Sequence, residues 1–231
     1  MNRRSFVAGL LSLPALPALA KRPAPVQPPS TSSNHALLLE PMVSTDPGTT
    51  HAALVLTSQA WTGRYELAAD LTLAAQLRTG SAPNPWETGW LLWNYQDDQH
   101  FYAFALQTNG WVLSKEDPAY PGAQRFLSSG STPFAQPGVK HRIDIWTDGG
   151  STQIYIDNSL VCSYTDAIAP YSSGRAGFYC EDSRVLVDNA IAGSISDTFD
   201  QYPLVTFSDG QIFGPWIDVF GGYGSVGIVS V

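Results

Sequence analysis

Residues 86–117 read WETGWLLWNYQDDQHFYAFALQTNGWVLSKED. Apolar and polar side chains alternate here with a period of two, the period of a pleated strand with one face turned inward. The pattern predicts three short strands, at 88–95, 100–107 and 110–116. Turn-forming residues separate them, first Gln96, Asp97, Asp98 and Gln99, then Thr108, Asn109 and Gly110. Asn109-Gly110 between apolar runs is a strong hairpin signal, because a two-residue primed turn needs the positive φ that Asn and Gly accept. In the last strand Trp111, Leu113 and Lys115 share one face, while Val112, Ser114 and Glu116 share the other. The stretch also holds four of the 7 tryptophans (Trp86, Trp90, Trp93 and Trp111), with Tyr95 and Tyr102. Rings beside Asn, Gln, Lys and acids suit a surface that stacks on sugars. The same rings would equally fill the core of a sandwich.

Outward from this meander the period of two continues. Upstream, 36–39 and 52–57 read as strands, the first stopped by Pro41. Residues 65–78 (YELAADLTLAAQLR) place Leu67, Ala69, Leu71, Leu73, Ala75 and Leu77 on one face. Glu66, Asp70, Thr72, Gln76 and Arg78 fall on the other. An amphipathic helix is the rival reading, because Ala and Leu favour helices locally. Downstream, 118–136 reads as a loop with a short strand at Phe126-Leu127. Strands follow at 139–147, 152–157, 160–164, 174–180 and 185–192, with Asp148-Gly149-Gly150 and Asp157-Asn158 as turns. No segment after residue 20 carries a capped helical pattern, so the chain is expected to be all-β, a two-sheet sandwich.

Composition agrees and excludes some partners. The 231 residues are 44% hydrophobic and only 14% charged, with 20 Gly and 17 Pro, which suits one turn-rich domain with a sizeable core. A net charge of −8 leaves no basic stripe to neutralise phosphates, so nucleic acid is not an expected partner. Arg3-Arg4-Ser5-Phe6 precede an apolar run, and Ala18-Leu19-Ala20 forms a cleavage-like site. Residues 1–20 therefore read as a signal peptide resembling the twin-arginine type, with Asn2 where Ser or Thr is more usual. Pro14 and Pro17 break the run too early for a membrane anchor, and no membrane insertion is expected once the signal is removed. Residues 21–34, rich in Pro and Ser, read as a linker, and 35–231 as the domain. The expected location is periplasmic or extracellular.

The back half carries a resemblance. IYIDNSLVCSYTD (154–166), PYSSGRAGFYCED (170–182) and VLVDNA (185–190) are similar to the closing strands of concanavalin A-like lectin and glucanase jelly rolls. WNYQDDQHFYAF (93–104) and the Gly110-Trp111 start of the next strand resemble secreted bacterial members, among them the 3-keto-disaccharide-hydrolase-like and laminin G-like modules. The resemblance implies an antiparallel jelly-roll sandwich, and it says little about function, because this architecture hosts lectins, hydrolases, lyases and adhesive modules. The chain departs from it in lacking the E-x-D-x-x-E strand of related glucanases and the motifs of jelly-roll alginate lyases. Residues 207–231 (FSDGQIFGPWIDVFGGYGSVGIVSV) look like an opening strand of such a module placed at its end. Two readings remain open for them: a circular permutation, with the first strand supplied from the C-terminal side, or a truncated second repeat. The resemblance also allows one structural Ca²⁺, held by Asp188 with Asp209 or Asp218 on the incoming strand; no cofactor is otherwise required.

Chemistry-bearing residues are few. Cys162 and Cys180 are the only cysteines and form either one disulfide or two buried thiols. Glu87, Glu116 and Glu181 are candidates for the carboxylate pair of a glycosidase, and His100 with Asp98 for an acid–base pair. Neither G-x-S-x-G, H-E-x-x-H nor a phosphate-cradling glycine loop occurs. For binding, Trp90, Tyr102 and Trp111 are expected to stack on sugar faces, with Arg78, Lys115 and Gln124 donating to hydroxyls. The leading expectation is a secreted, lectin-like module that presents an aromatic and polar concave face to a polysaccharide or oligosaccharide. The alternatives are a glycoside hydrolase or polysaccharide lyase, and a non-catalytic adhesion domain.

Overall fold

A computed structural model describes residues 34–231, and within them each run expected as a strand pairs in an antiparallel ladder. The expected signal segment and nearly all of the linker lie outside the described residues. The strands are β1 (His35–Glu40), β2 (Ala52–Thr57), β3 (Trp61–Thr62), β4 (Arg64–Gln76), β5 (Gly89–Asp97) and β6 (His100–Gln107). They continue as β7 (Gly110–Glu116), β8 (Gln124–Gly130), β9 (Lys140–Asp148), β10 (Ser151–Ile156), β11 (Ser159–Thr165) and β12 (Ser173–Glu181). The last six are β13 (Ser183–Ala192), β14 (Ile195–Asp197), β15 (Val205–Thr206), β16 (Ile212–Phe213), β17 (Trp216–Phe220) and β18 (Ser225–Ser230). One sheet runs β11-β10-β9-β4-β13-β1-β18-β15, with β14 added to β13. The other runs β16-β17-β2-β12-β5-β6-β7-β8, with β3 added to β12. Among the described residues no helix is long and apolar enough to cross a membrane.

Alternation places one apolar row from each strand between the sheets. Leu37, Leu67, Trp93, Phe104, Ile145 and Trp216 belong to this shared core. Residues 64–76 are strand, not helix, and Leu67, Ala69, Leu71 and Leu73 point inward as the alternation predicts. The phase then breaks. Arg184 pairs with Ala75 but Val185 with Leu73, so Ala74 is an extra, bulged residue. Beyond a one-residue bulge each side chain changes face. Arg78, expected on a polar surface, is instead buried, its Nε 2.6 Å from Glu87 Oε1 and its Nη2 donating to Asp182 Oδ2. This corrects its reading as a sugar donor.

The C-terminal segment completes both sheets. β17 pairs with β2, and β18 lies between β1 and β15, with His35 opposite Ser230. Val231 N–H donates to Asn34 O at 2.9 Å, so the two ends of the described chain meet. Trp216 fills the core against Phe178 and Phe199, and its Nε1 donates to buried Asp197 at 2.9 Å. Residues 207–231 are thus part of this sandwich, as the permuted reading requires, and not the start of a second one.

The disulfide reading is corrected. Cys162 lies on β11, at the edge of the first sheet, and Cys180 on β12, inside the second; both are free, buried thiols. Burial pushes the Cys180 thiol up to about 12, so it carries no thiolate reactivity at neutral pH.

Candidate functional site

The second sheet has an outer face as well as an inner one, and β5, β6, β7, β8 and β12 together shape a groove on it of about 390 Å³. That volume lies within the range of small-ligand sites. Its position follows from the alternation. Inward go Leu91 and Trp93 of β5, Phe104 of β6 and Leu113 of β7; outward go Trp90, Ala105, Val112 and Ser114. Trp90 pairs across the ladder with Tyr179 of β12 on one side and Ala105 of β6 on the other. The Trp90 and Tyr179 rings meet edge to face at 5.3 Å and form the floor. Trp86, 43% exposed, and Phe126, 67% exposed, line the groove with rings left open to solvent. Trp90 Nε1 donates to Trp86 O at 2.9 Å, which ties the Trp86 backbone to the floor.

Phe101 and the polar groups Asp98, Gln107, Ser114, Glu116, Gln124 and Glu181 supply the remaining lining. Gln124 Nε2 donates to Ser114 Oγ at 3.4 Å, and Tyr179 OH donates to Glu181 Oε1 at 2.8 Å. The Glu116 carboxyl is held above its ordinary value, first by burial and then by the charge of Glu181. Glu181 is raised too, chiefly by burial, with the Tyr179 hydroxyl opposing. The two acids stand on strands separated by β5 and β6 and toward opposite ends of the groove. Tyr179 is level with Val112 through Trp90 and Ala105, with Glu181 two residues to one side of that row and Glu116 four residues to the other. Their side chains lean into one groove, where each retains a proton to higher pH than a solvated carboxyl.

Of the residues singled out in the sequence, the structure brings Trp90, Gln124, Glu116 and Glu181 to this groove. The others it places elsewhere. Tyr102, Trp111 and Lys115 sit on the inward face of the same strands. Tyr102 stacks on Trp93 at 5.5 Å, and Trp111 packs on Phe104 while its Nε1 donates to Thr132 O. Lys115 is fully buried, its Nζ 2.8 Å from Asp166 Oδ2, 3.0 Å from Ile168 O and 2.7 Å from Ala169 O. None of the three reaches the surface to meet a sugar. Glu87 is likewise buried in the ion pair with Arg78, also accepting from Asn84 Nδ2, and is out of reach as a catalytic group. His100 Nδ1 pairs with Asp97 at 2.6 Å, leaving Asp98 to the groove.

The calcium trio does not assemble. Asp188 belongs to β13 of the first sheet, where Asn189 N–H donates to it and Lys140 Nζ stands 3.6 Å away. Asp218 belongs to β17 of the second sheet, with Asp209 as its charged neighbour. Among the described residues no group of three or more His, Cys, Asp or Glu side chains gathers to hold a metal.

Reading by residue type missed Trp86, Phe126, Tyr179 and Gln107. The signal for Tyr179 lay in its strand: GFYCE alternates Tyr179 and Glu181 against buried Phe178 and Cys180. Phe126 sits on β8, an edge strand longer than its two apolar residues suggest.

No protein-family model matches the chain, and no curated protein sequence matches it. Solved structures do match in fold. The carbohydrate binding module CBM66 from Bacillus subtilis is 18% identical, covering 68% of this chain and 94% of its own, with a TM-score of 0.50. Sheep galectin-11 is 16% identical over 58% of this chain and 94% of its own, with a TM-score of 0.41. An alginate lyase from polysaccharide lyase family 7 is 14% identical over 59% of this chain and 63% of its own, with a TM-score of 0.39. The likeness is one of fold, the antiparallel jelly-roll sandwich.

Proposed function

We infer that the protein is a glycan-binding module whose groove receives sugar rings between Trp86 and Phe126, above the Trp90–Tyr179 floor. One observation carries this reading: two large rings left open beside a built aromatic floor, with amide, hydroxyl and carboxylate groups within the same groove. A pyranose offers an apolar face to the rings and hydroxyls to that polar lining, which is the combination present. The carbohydrate binding module that shares the fold supports the same class of ligand. The paired arginines at Arg3-Arg4 ahead of an apolar run support a place outside the cytoplasm for it.

The test is a glycan-array screen followed by calorimetry on each hit. Trp86→Ala and Phe126→Ala should each weaken binding about tenfold, equivalent to ~1.4 kcal/mol, while the melting temperature stays nearly constant because both rings are exposed. Unchanged affinity in both variants would sink the groove as the site. The raised Glu116 and Glu181 favour a second reading, a glycosidase, since an acid kept protonated beside a second carboxylate is what glycosidic hydrolysis requires. New reducing ends that vanish in Glu116→Gln or Glu181→Gln would establish it; binding without product would leave the lectin reading.

A further inference from the structure

We propose that the groove selects its glycan by charge, taking chains that carry free amino groups over neutral chains of the same backbone and rejecting those that carry carboxylate or sulfate. This rests on the glycan-binding reading above and goes beyond it to the ligand's chemistry. The lining includes three carboxylates, Asp98, Glu116 and Glu181, and neither Arg, Lys nor His. The cations nearest in sequence and strand order are held elsewhere. Lys115 turns inward to Asp166, Arg78 is buried between Glu87 and Asp182, and His100 binds Asp97. Arg125 stands 3.9 Å from Asp166, and Arg175 pairs opposite Tyr95, outside the lining. A carboxylated or sulfated sugar entering here would meet negative charge with no cation to offset it.

The aromatic half of the groove points the same way. Ring faces attract ammonium groups through their quadrupole, and Trp is the strongest of the three aromatic types. Trp86 and Phe126 therefore reinforce the carboxylates for a protonated amine, whereas for a hydroxyl they supply stacking alone. Glu116 and Glu181 line the same groove and each raises the cost of the other's charge, which a cationic chain lying along the groove offsets. The net charge of −8 draws cationic chains toward the protein as a whole.

The experiment uses the full chain and three oligosaccharides of equal length: a glucosamine oligomer, its fully N-acetylated counterpart and an oligouronate. Calorimetry is run near neutral pH, where the raised Glu116 and Glu181 carboxyls are more fully ionised than in acid while part of the amine stays protonated, at low and high salt. The glucosamine oligomer should bind at least about tenfold more tightly than the acetylated one, the oligouronate should not bind, and added salt should narrow the gap. In the Glu116→Gln/Glu181→Gln variant most of the gap between amine and amide should close, with the melting temperature unchanged or raised. Asp98→Asn, at an exposed position, should narrow the gap without touching the fold. Equal binding of amine and amide by the unaltered protein, or a preference for the oligouronate, overturns the charge selection and leaves the glycan reading standing. No binding to any of the three, together with an empty glycan array, overturns both.

Discussion

Lys115 shows what the sequence conveys about a single residue and what it withholds. Its alternation with Trp111 and Leu113 is plain in GWVLSKE, but amphipathic residues stand on both faces of that strand. Period alone does not say which face turns inward. The choice is made by Asp166, distant in sequence, which brings a carboxylate into the core for Lys115 to meet. All three ammonium donors are used, and the Tyr171 ring lies 4.2 Å below. Lys115→Met should cost about 3–5 kcal/mol, because it strands Asp166 as a buried charge. That corresponds to a fall of roughly 10 °C in melting temperature for a chain of this size. Adding Asp166→Asn should recover part of the loss; no recovery would mean that the cost is packing alone. Asp218 is the opposite case, 1% exposed with Oδ1 unpartnered. Burial, and then Asp209, push its carboxyl up to about 6 from an ordinary 3.8. The folded protein keeps this proton where the unfolded chain has lost it, so stability is full below the ordinary value. It falls as pH rises toward 6 and is flat above. Asp218→Asn should erase that slope and gain on the order of 2 kcal/mol at neutral pH, read as a higher urea midpoint above pH 6 and no change near pH 3. A wild-type slope that persists in the variant would assign it to another group.

Among the elements, strands were legible and bulges were not. Strand boundaries follow period-two runs closed by Gly, Asn and Asp. The expected hairpin forms, but its two loop residues are Thr108 and Asn109, Asn109 is not at positive φ, and Gly110 already pairs with Gln107. At Gly110 the backbone has φ 143, and an added Cβ would lie 2.0 Å from Gly130 O, so only glycine closes this turn beside β8. The bulge at Ala74 left no such mark, because LTLAAQ alternates equally well with or without a slipped residue. Its effect is large all the same, since it is what turns Arg78 toward Glu87 and Asp182. Deleting Ala74 should restore regular pairing with β13 and swing Arg78 outward, leaving two buried carboxylates without their cation. The expected loss is at least the 3–5 kcal/mol of a broken buried ion pair, matching Arg78→Met in equilibrium denaturation. A deletion much milder than Arg78→Met would show that the bulge does not set the direction of Arg78.

At the scale of the whole molecule, the site depends on closure by strands far away in sequence. The groove lies on the outer face of a sheet whose β2 and β12 core is backed by Trp216 from the C-terminal segment. The order of the strands hinted at this, because 207–231 reads as an opening strand placed last; pairing partners were invisible, because register is a property of two strands and not of one. The closure is testable by moving the chain break. Asn34 and Val231 exchange hydrogen bonds at 2.9 and 3.2 Å, so a short Gly/Ser linker can join them without disturbing β1 or β18. Opening the chain instead at the exposed Leu204, between β14 and β15, puts β17 and β18 ahead of β1. That rearranged chain should fold to the same sandwich and melt within a few degrees of the parent. Removing residues 203–231 should do the reverse. It strips Trp216, Val226 and Ile228 from the core, each worth about 1.5–3 kcal/mol of burial. It also leaves β1 and β2 as open, apolar edges. Together these losses approach the whole stability of a domain, about 5–15 kcal/mol, and the shortened chain should aggregate or lose its near-ultraviolet dichroism. A soluble truncation with an unchanged melting temperature would mean that the C-terminal strands decorate the sandwich and do not close it.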